Sequence, residues 1–328
     1  MNVTMKDIAV ASGVSTTTVS KVLNGRDNNI SAVTRNRILE NVKKYGYVPN
    51  AVAKGLRTQR TNTLGFILPD ICNPFFPEIV RGIEDVANSK GFSVIISNTD
   101  NNAQRELASF RGLASRMVDG IIFTRALRPN NIEEYANANI PVVVVDREIN
   151  ISGFGFGMIA VDTQRGIYDA TKLLLDKGCK RIAYISADYD SEFDRYTGYK
   201  KAITEAGASI DNRLVYRRDY DVATGYEGIR KILSSELIDG VVCGNDLIAV
   251  GVINALNEAN LSVPLDVKVI GFDDVYFGSY INPALTTIKQ PAYEIGSEAA
   301  KMLIDNILYD VPLSTKILDY TLIIRDSV

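Results

Sequence analysis

The sequence predicts two unlike parts: an all-α headpiece of short helices and an α/β core built as two doubly wound parallel-sheet lobes. Three observations carry this reading. At about 100° per residue, the stretch 15–24 sorts into an apolar face of Val19, Val22 and Leu23 and a polar face of Thr16, Thr17, Ser20, Lys21 and Asn24. From Leu64 onward, apolar runs at 64–68, 92–97, 120–123, 142–145, 181–185, 241–243 and 267–271 alternate with amphipathic stretches, as parallel strands covered by helices do. Finally, Asp119-Gly120-Ile121-Ile122-Phe123 is echoed by Asp239-Gly240-Val241-Val242-Cys243, one copy in each half, which predicts two similar lobes facing across a cleft.

In chain order, Thr4-Met5-Lys6-Asp7 has the spacing of a capping box and starts a short helix that carries Ile8, Ala9 and Ala11 and ends near Ser12-Gly13. Ser15 is the N-cap of the next helix. Two short helices around a Gly-containing turn, the second polar on its outward face, form a helix-turn-helix. A bundle corner would have the same spacing, so charge decides between them. Residues 1–60 hold ten Lys/Arg against three acids, a net +7 in a chain of net −3, which leaves −10 on residues 61–328. A basic module joined to an ordinary acidic domain is the footprint of nucleic-acid binding. Ser31 caps a third helix running to about Tyr45, with Ile38, Val42 and Tyr45 turned inward and Gly46 as its stop. Pro49 then opens the segment 50–56, too brief to hold a helix without partners.

Lys6-Asp7-Ile8-Ala9, Gly13-Val14-Ser15, Thr18-Val19-Ser20, Val22-Leu23-Asn24 and Tyr47-Val48-Pro49-Asn50-Ala51-Val52-Ala53 resemble the headpiece of the LacI/GalR family of bacterial transcription regulators, and the likeness continues to the last strand. The resemblance implies a helix-turn-helix DNA-binding headpiece at 1–46, a hinge helix and linker at 47–60, and a periplasmic-binding-protein-like, dimerising effector core at 61–328. It also implies that the hinge helix folds on the operator, pairs with its dimer mate and wedges Leu56 into the minor groove. The residues assigned to DNA are Thr4, Ser15, Thr16, Thr17, Ser20, Lys21 and Asn24 in the headpiece, with Asn50, Ala53 and Leu56 beyond it.

Length and composition narrow the class. With 328 residues and 46 % hydrophobic content, the chain can bury substantial cores. No apolar stretch follows a basic start, and none approaches the ~20 residues that span a bilayer, so a cytoplasmic protein without membrane partners is expected, on the nucleoid when bound to operator. The three cysteines, Cys72, Cys179 and Cys243, are far apart, and the chain has no His, so disulfides, metal sites, cofactors and His-based catalysis are not expected.

In parallel sheets, ligands lie beyond the carboxyl ends of strands. Polar residues gather there: Asn73 with Phe75 and Phe76 after the first strand, Asp146-Arg147 after the fourth, Arg195, Asn245, Asp273, and Gln290 before Pro291. Singly, Phe75 also reads as a core plug and Asp146-Arg147 as a surface ion pair. Together they suit a neutral polyol, whose hydroxyls donate to carboxylates and accept from guanidinium or amide groups while rings cover its C–H face. Asp146 and Asp273 balance Arg147 and Arg195, whereas a phosphorylated ligand wants surplus cations. The set also resembles bacterial ribose-binding proteins of this fold position by position, except that Tyr220 stands where those have Phe. Ribose is therefore the first expected effector.

Gly155-Phe156-Gly157-Met158-Ile159-Ala160 matches a dinucleotide fingerprint formally but leads into a strand, which removes the phosphate-cradling helix end. An effector-controlled DNA-binding repressor, acting as a homodimer on a near-palindromic operator, explains all parts. Its rivals are a regulator of the same family answering to a phosphorylated sugar or a protein co-repressor, a transport-type sugar-binding protein, and a sugar hydrolase using Asp146 and Asp273. The last is disfavoured because, with an Arg at hand for each carboxylate, neither is expected to have the raised pKa of a general acid.

Overall fold

The structure is a computed structural model that describes residues 3–48, 60–125, 132–147, 155–188 and 195–328. The chain divides into two compact units, Met1–Thr61 and Asn62–Val328.

The first unit holds α1 (Met5–Ser12), α2 (Thr16–Leu23) and α3 (Ala32–Lys44). Its caps form as the residue types dictate. The Thr4 N–H donates to Asp7 Oδ2 at 2.9 Å while the Asp7 N–H donates to Thr4 Oγ1 at 3.4 Å, and the hydroxyls of Ser15 and Ser31 accept from the N–H of Thr18 and Thr34. Gly13, at φ +63°, makes the left-handed turn between α1 and α2. Ile8, Ala9, Val19, Val22, Ile38 and Tyr47 form the core.

One inward expectation fails here. Tyr45 is 46 % exposed, because α3 stops at Lys44 and Gly46, at φ +60°, reverses the chain. The Tyr47 N–H then donates to the Val42 carbonyl at 3.0 Å, and Tyr47 supplies the buried ring instead. Ala11 is exposed as well; its neighbour Ser12 is buried and accepts from Asn41 Nδ2 at 3.0 Å.

The second unit contains two six-stranded sheets. The first lobe runs β1 (Thr63–Leu68), α4 (Phe75–Ser89), β2 (Ser93–Asn98), α5 (Ala103–Ser115), β3 (Gly120–Phe123), α6 (Ile132–Asn137), β4 (Val142–Val145) and β5 (Gly157–Val161). The second runs α7 (Thr163–Asp176), β6 (Ile182–Ala187), α8 (Tyr196–Glu205), β7 (Val215–Arg218), α9 (Val222–Leu233), β8 (Gly240–Cys243), α10 (Asp246–Glu258), β9 (Lys268–Asp273) and β10 (Thr286–Lys289). The chain then returns to the first lobe for α11 (Ala292–Tyr309) and β11 (Thr315–Leu318) and ends with β12 (Thr321–Ile323) in the second sheet. Strand orders are β2-β1-β3-β4-β5-β11 and β7-β6-β8-β9-β10-β12, the same winding twice. Each sheet has an apolar cluster on both faces, the mark of a doubly wound lobe.

The Asp-Gly echo has a physical cause. Asp119 accepts from the Thr63 N–H, and Asp239 accepts from the N–H groups of Lys180 and Arg181, so each carboxylate ties its sheet together at the start of β1 or β6. A Cβ at Gly120 would sit 2.8 Å from Leu303 Cδ1 of α11, so the glycine lets that helix settle on the sheet. One strand departs from the all-parallel expectation: β12 pairs antiparallel with β10, Thr287 opposite Ile323. β11 runs parallel to β5 and so ends at the cleft, and only Asp319 and Tyr320 lead from it into β12; the last strand therefore enters the second sheet from the carboxyl ends of its strands and runs against them. Among the described residues no helix is long and apolar enough to cross a membrane.

Candidate functional site

The chain crosses between lobes three times: after β5, at Gln290-Pro291 after β10, and at Asp319-Tyr320 before β12. Strand ends from both lobes meet beside these crossings. Asn73, Phe75, Phe76, Asp146, Arg147, Arg195, Tyr220, Asn245 and Asp273 line one narrow cavity, so the structure brings nine of the ten expected ligand residues together. Gln290, the tenth, is buried behind them: its Nε2 donates to Asp273 Oδ1 at 2.9 Å in the second lobe and to Asp146 Oδ1 at 3.4 Å in the first.

Each side chain is held by local structure. Asn73 Oδ1 accepts from the Phe75 N–H at 3.1 Å and opens α4, whose first two rings pack edge-to-face with centroids 5.3 Å apart. Asn245 caps α10 by accepting from the Ile248 N–H at 2.9 Å. Arg195 donates to the Gly244 carbonyl, lies over the Phe272 ring at 4.1 Å and over Tyr220 at 5.2 Å. Arg147, from the other lobe, lies 5.5 Å from the same Tyr220 ring, which is thus flanked by two guanidinium groups. Asp146 and Asp273 have positive φ of 66° and 110°, backbone strain that turns both carboxylates into the cavity.

Charge in the cleft is dense and buried. Arg195 stays cationic: burial opposes its charge, and Tyr220, Asp273 and Asp146 outweigh that and raise its pKa. Against the expectation that its Arg would keep Asp273 from being tuned upward, burial pushes it up to about 7, Arg195 pulling it down and Asp146 pushing it further up; desolvation outweighs the cation. A site with carboxylate acceptors, guanidinium and amide donors and apolar rings can bind a small hydroxylated molecule from all sides.

Sequence reasoning missed the supports behind this wall. Asn101, at φ +55° in the turn after β2, accepts from Arg147 Nη1 at 2.6 Å, and the Arg125 carbonyl accepts from the same nitrogen at 2.9 Å. The polar run Asp100-Asn101-Asn102 at a strand end was the available signal.

In the headpiece, Ser15, Thr16, Thr17, Lys21 and Asn24 are exposed and Ser20 is half-buried, so α2 presents its polar face outward. Thr4 is exposed but already serves the α1 cap, and Asn24 donates to the Ser20 carbonyl at 2.7 Å. A polar groove along α2 and the start of α3 is lined by Thr18, Lys21, Arg26, Asn28, Asn29, Ser31 and Thr34, most of them unassigned from sequence. Asn50, Ala53 and Leu56 lie outside the described residues.

Residues 4–50 match the bacterial regulatory proteins of the lacI family, and residues 171–328 match the periplasmic binding protein-like domain. The chain is 41 % identical to the HTH-type transcriptional regulator RegA of Clostridium saccharobutylicum over 333 aligned positions, covering 100 % of this chain and 99 % of the relative. This chain belongs to the LacI family. It is 36 % identical to catabolite control protein A of Priestia megaterium, over 92 % of each chain. Among solved structures, it resembles a LacI family transcriptional regulator from Enterococcus faecium with bound ribose, at 32 % identity and a TM-score of 0.72, covering 81 % of this chain and 98 % of that one. The RegA and Enterococcus faecium relatives are transcriptional regulators, and this LacI family member is likewise a DNA-binding transcriptional regulator. Its Gly155–Ala160 motif leads into β5 and not directly into a helix, so its glycines do not form the strand-to-helix turn that cradles a dinucleotide phosphate.

Proposed function

We propose that this regulator is a cytoplasmic homodimeric repressor of a near-palindromic operator, and that a neutral monosaccharide, D-ribose first, sets its operator affinity by closing the cleft. The observation that carries this reading is the balance inside the cavity: Asp146 and Asp273 from different lobes face Arg147 and Arg195, again one from each lobe, with Gln290 joining the two acids. A phosphoryl group would bring about two more negative charges into this balanced, buried site, whereas sugar hydroxyls satisfy both charge types without adding any. The ribose bound in the related Enterococcus faecium regulator supports the same class.

A ligand touching Asn73, Phe75 and Phe76 on one side and Arg195, Tyr220 and Asn245 on the other stabilises the closed arrangement of the lobes. On DNA, Thr16, Thr17 and Lys21 enter the major groove, Lys21 reaching a guanine edge. Titration calorimetry of the full chain with D-ribose, other neutral monosaccharides and ribose 5-phosphate tests the effector. Heat with D-ribose and none with the phosphate supports the reading; the reverse order overturns it.

A further inference from the structure

Asp246 opens α10 next to Asn245 and is fully buried, yet it is not the helix cap, because Asn245 fills that role. Its carboxyl reaches sideways instead. Oδ2 accepts from the Val275 N–H at 2.9 Å, and Oδ1 accepts from the Thr287 hydroxyl at 2.6 Å. Val275 lies two residues beyond Asp273 on the turn leaving β9, and Thr287 lies on β10, three residues before Gln290. One side chain therefore joins the ends of three neighbouring elements, each of which delivers a cleft residue.

The sheet is shaped around this carboxyl. A Cβ at Gly271 of β9 would stand 2.1 Å from Asp246 Oδ1, so glycine is the residue that leaves the acid its place between the strands. An apolar side chain would suit such a buried position better than an acid, since a carboxyl without a cation costs stability. Burial raises its pKa well above the ordinary carboxylate value, and the neighbouring Asp273 and Asp274 add to the rise. The two hydrogen bonds are what the acid returns for that cost.

We propose that Asp246 is a positioning residue of the effector cleft: by joining the Val275 backbone and the Thr287 hydroxyl to the start of α10, it fixes Asn245, Asp273 and Gln290 relative to one another. This rests on those three residues holding the effector, so the test has one arm that needs no effector.

Full-length Asp246→Ala, Asp246→Asn and Thr287→Val are compared with the parent by amide hydrogen exchange, with circular dichroism and exchange elsewhere in the chain as the check on folding. Asp246→Ala is expected to lose protection at 274–277 and at the end of β10, and Thr287→Val at the end of β10 alone. Asp246→Asn, which keeps an acceptor for the Val275 N–H and a donor toward Thr287, is expected to retain it. In calorimetry with D-ribose, Asp246→Ala should bind about tenfold more weakly or worse, and Asp246→Asn within about threefold of the parent. Unchanged protection in Asp246→Ala, or equal losses in the Ala and Asn variants, overturns the positioning role. Failure of the parent to bind D-ribose overturns the sugar reading alone, and the exchange data still decide the role of Asp246. If Asp246→Ala does not fold, Thr287→Val and Asp246→Asn carry the decision by the same exchange pattern.

Discussion

Arg195 of the second lobe reaches Asp146 of the first at 3.7 Å, while standing 3.9 Å from Asp273 of its own lobe, and all three side chains are more than nine-tenths buried. The lobes are thus joined across the cleft by a charge shared between two acids. Removing one member of a buried ionic set costs about 3–5 kcal/mol, because the others are left uncompensated. Arg195→Ala is therefore expected to lose stability on that scale and to lose effector binding, while Arg195→Lys, with a point charge and no planar fork, recovers stability in part. Chemical denaturation together with calorimetry checks both; a loss under about 1 kcal/mol in Arg195→Ala would mean that the cross-lobe pair is idle.

Asp273 gives the cleft a pH dependence whose sign follows from its surroundings. Its pKa is raised to about 7 from an ordinary 3.8, so the folded chain holds a proton there that the unfolded chain releases. This contribution to stability is present below the unfolded value and is lost as pH rises through about 7. A sugar hydroxyl that donates to Asp273 favours the ionised form, so effector binding should release protons near neutrality and tighten between pH 6 and pH 8. Calorimetry in buffers of different ionisation enthalpy measures the proton release, and Asp273→Asn should abolish it; affinity that stays level across that range contradicts the assignment.

Helix packing in the first lobe depends on backbone approaching backbone. A Cβ at Gly82 of α4 would lie 2.1 Å from the Tyr293 carbonyl of α11, and one at Gly296 of α11 would lie 2.1 Å from the Ile79 carbonyl of α4. Gly82→Ala should force these helices apart at a cost of about 1–3 kcal/mol, despite the better helix propensity of alanine. A melting temperature equal to or above that of the parent would refute this.

For DNA reading, Lys21→Ala is expected to cost about 1–3 kcal/mol and to relax preference at one base pair per half-site. Fluorescence anisotropy on operators varied at single positions tests it. Uniform weakening on every sequence would make Lys21 a phosphate contact instead.

How far the sequence could be read depended on how local the cause was. Caps at Thr4, Ser15 and Ser31 depend on residues three apart, and they form where the spacing predicts. The βα alternation and the Asp119/Asp239 echo gave the lobes, because apolar strand runs and strand-end acids are written in short stretches. Tyr45 and Tyr47 changed places because the Gly46 turn, and not helical periodicity, decides which ring enters the core. The antiparallel β12 depends on β11 ending at the cleft, a matter of topology and not of pattern. At the cleft, residue types at strand ends pointed to the lining side chains, but Asn101 and Asp246 act through partners 46 and 41 residues away, distances that only the fold makes short.

Operator affinity measured with and without D-ribose tests the central claim most directly. The full-length protein is titrated onto a near-palindromic operator selected from random DNA, and the dissociation constant is read by fluorescence anisotropy. A coupling of about 1–3 kcal/mol, roughly 5- to 150-fold in affinity, is expected, and operator should change D-ribose affinity by the same factor. Tight operator binding that neither D-ribose nor any other neutral monosaccharide alters at millimolar concentration would contradict the account.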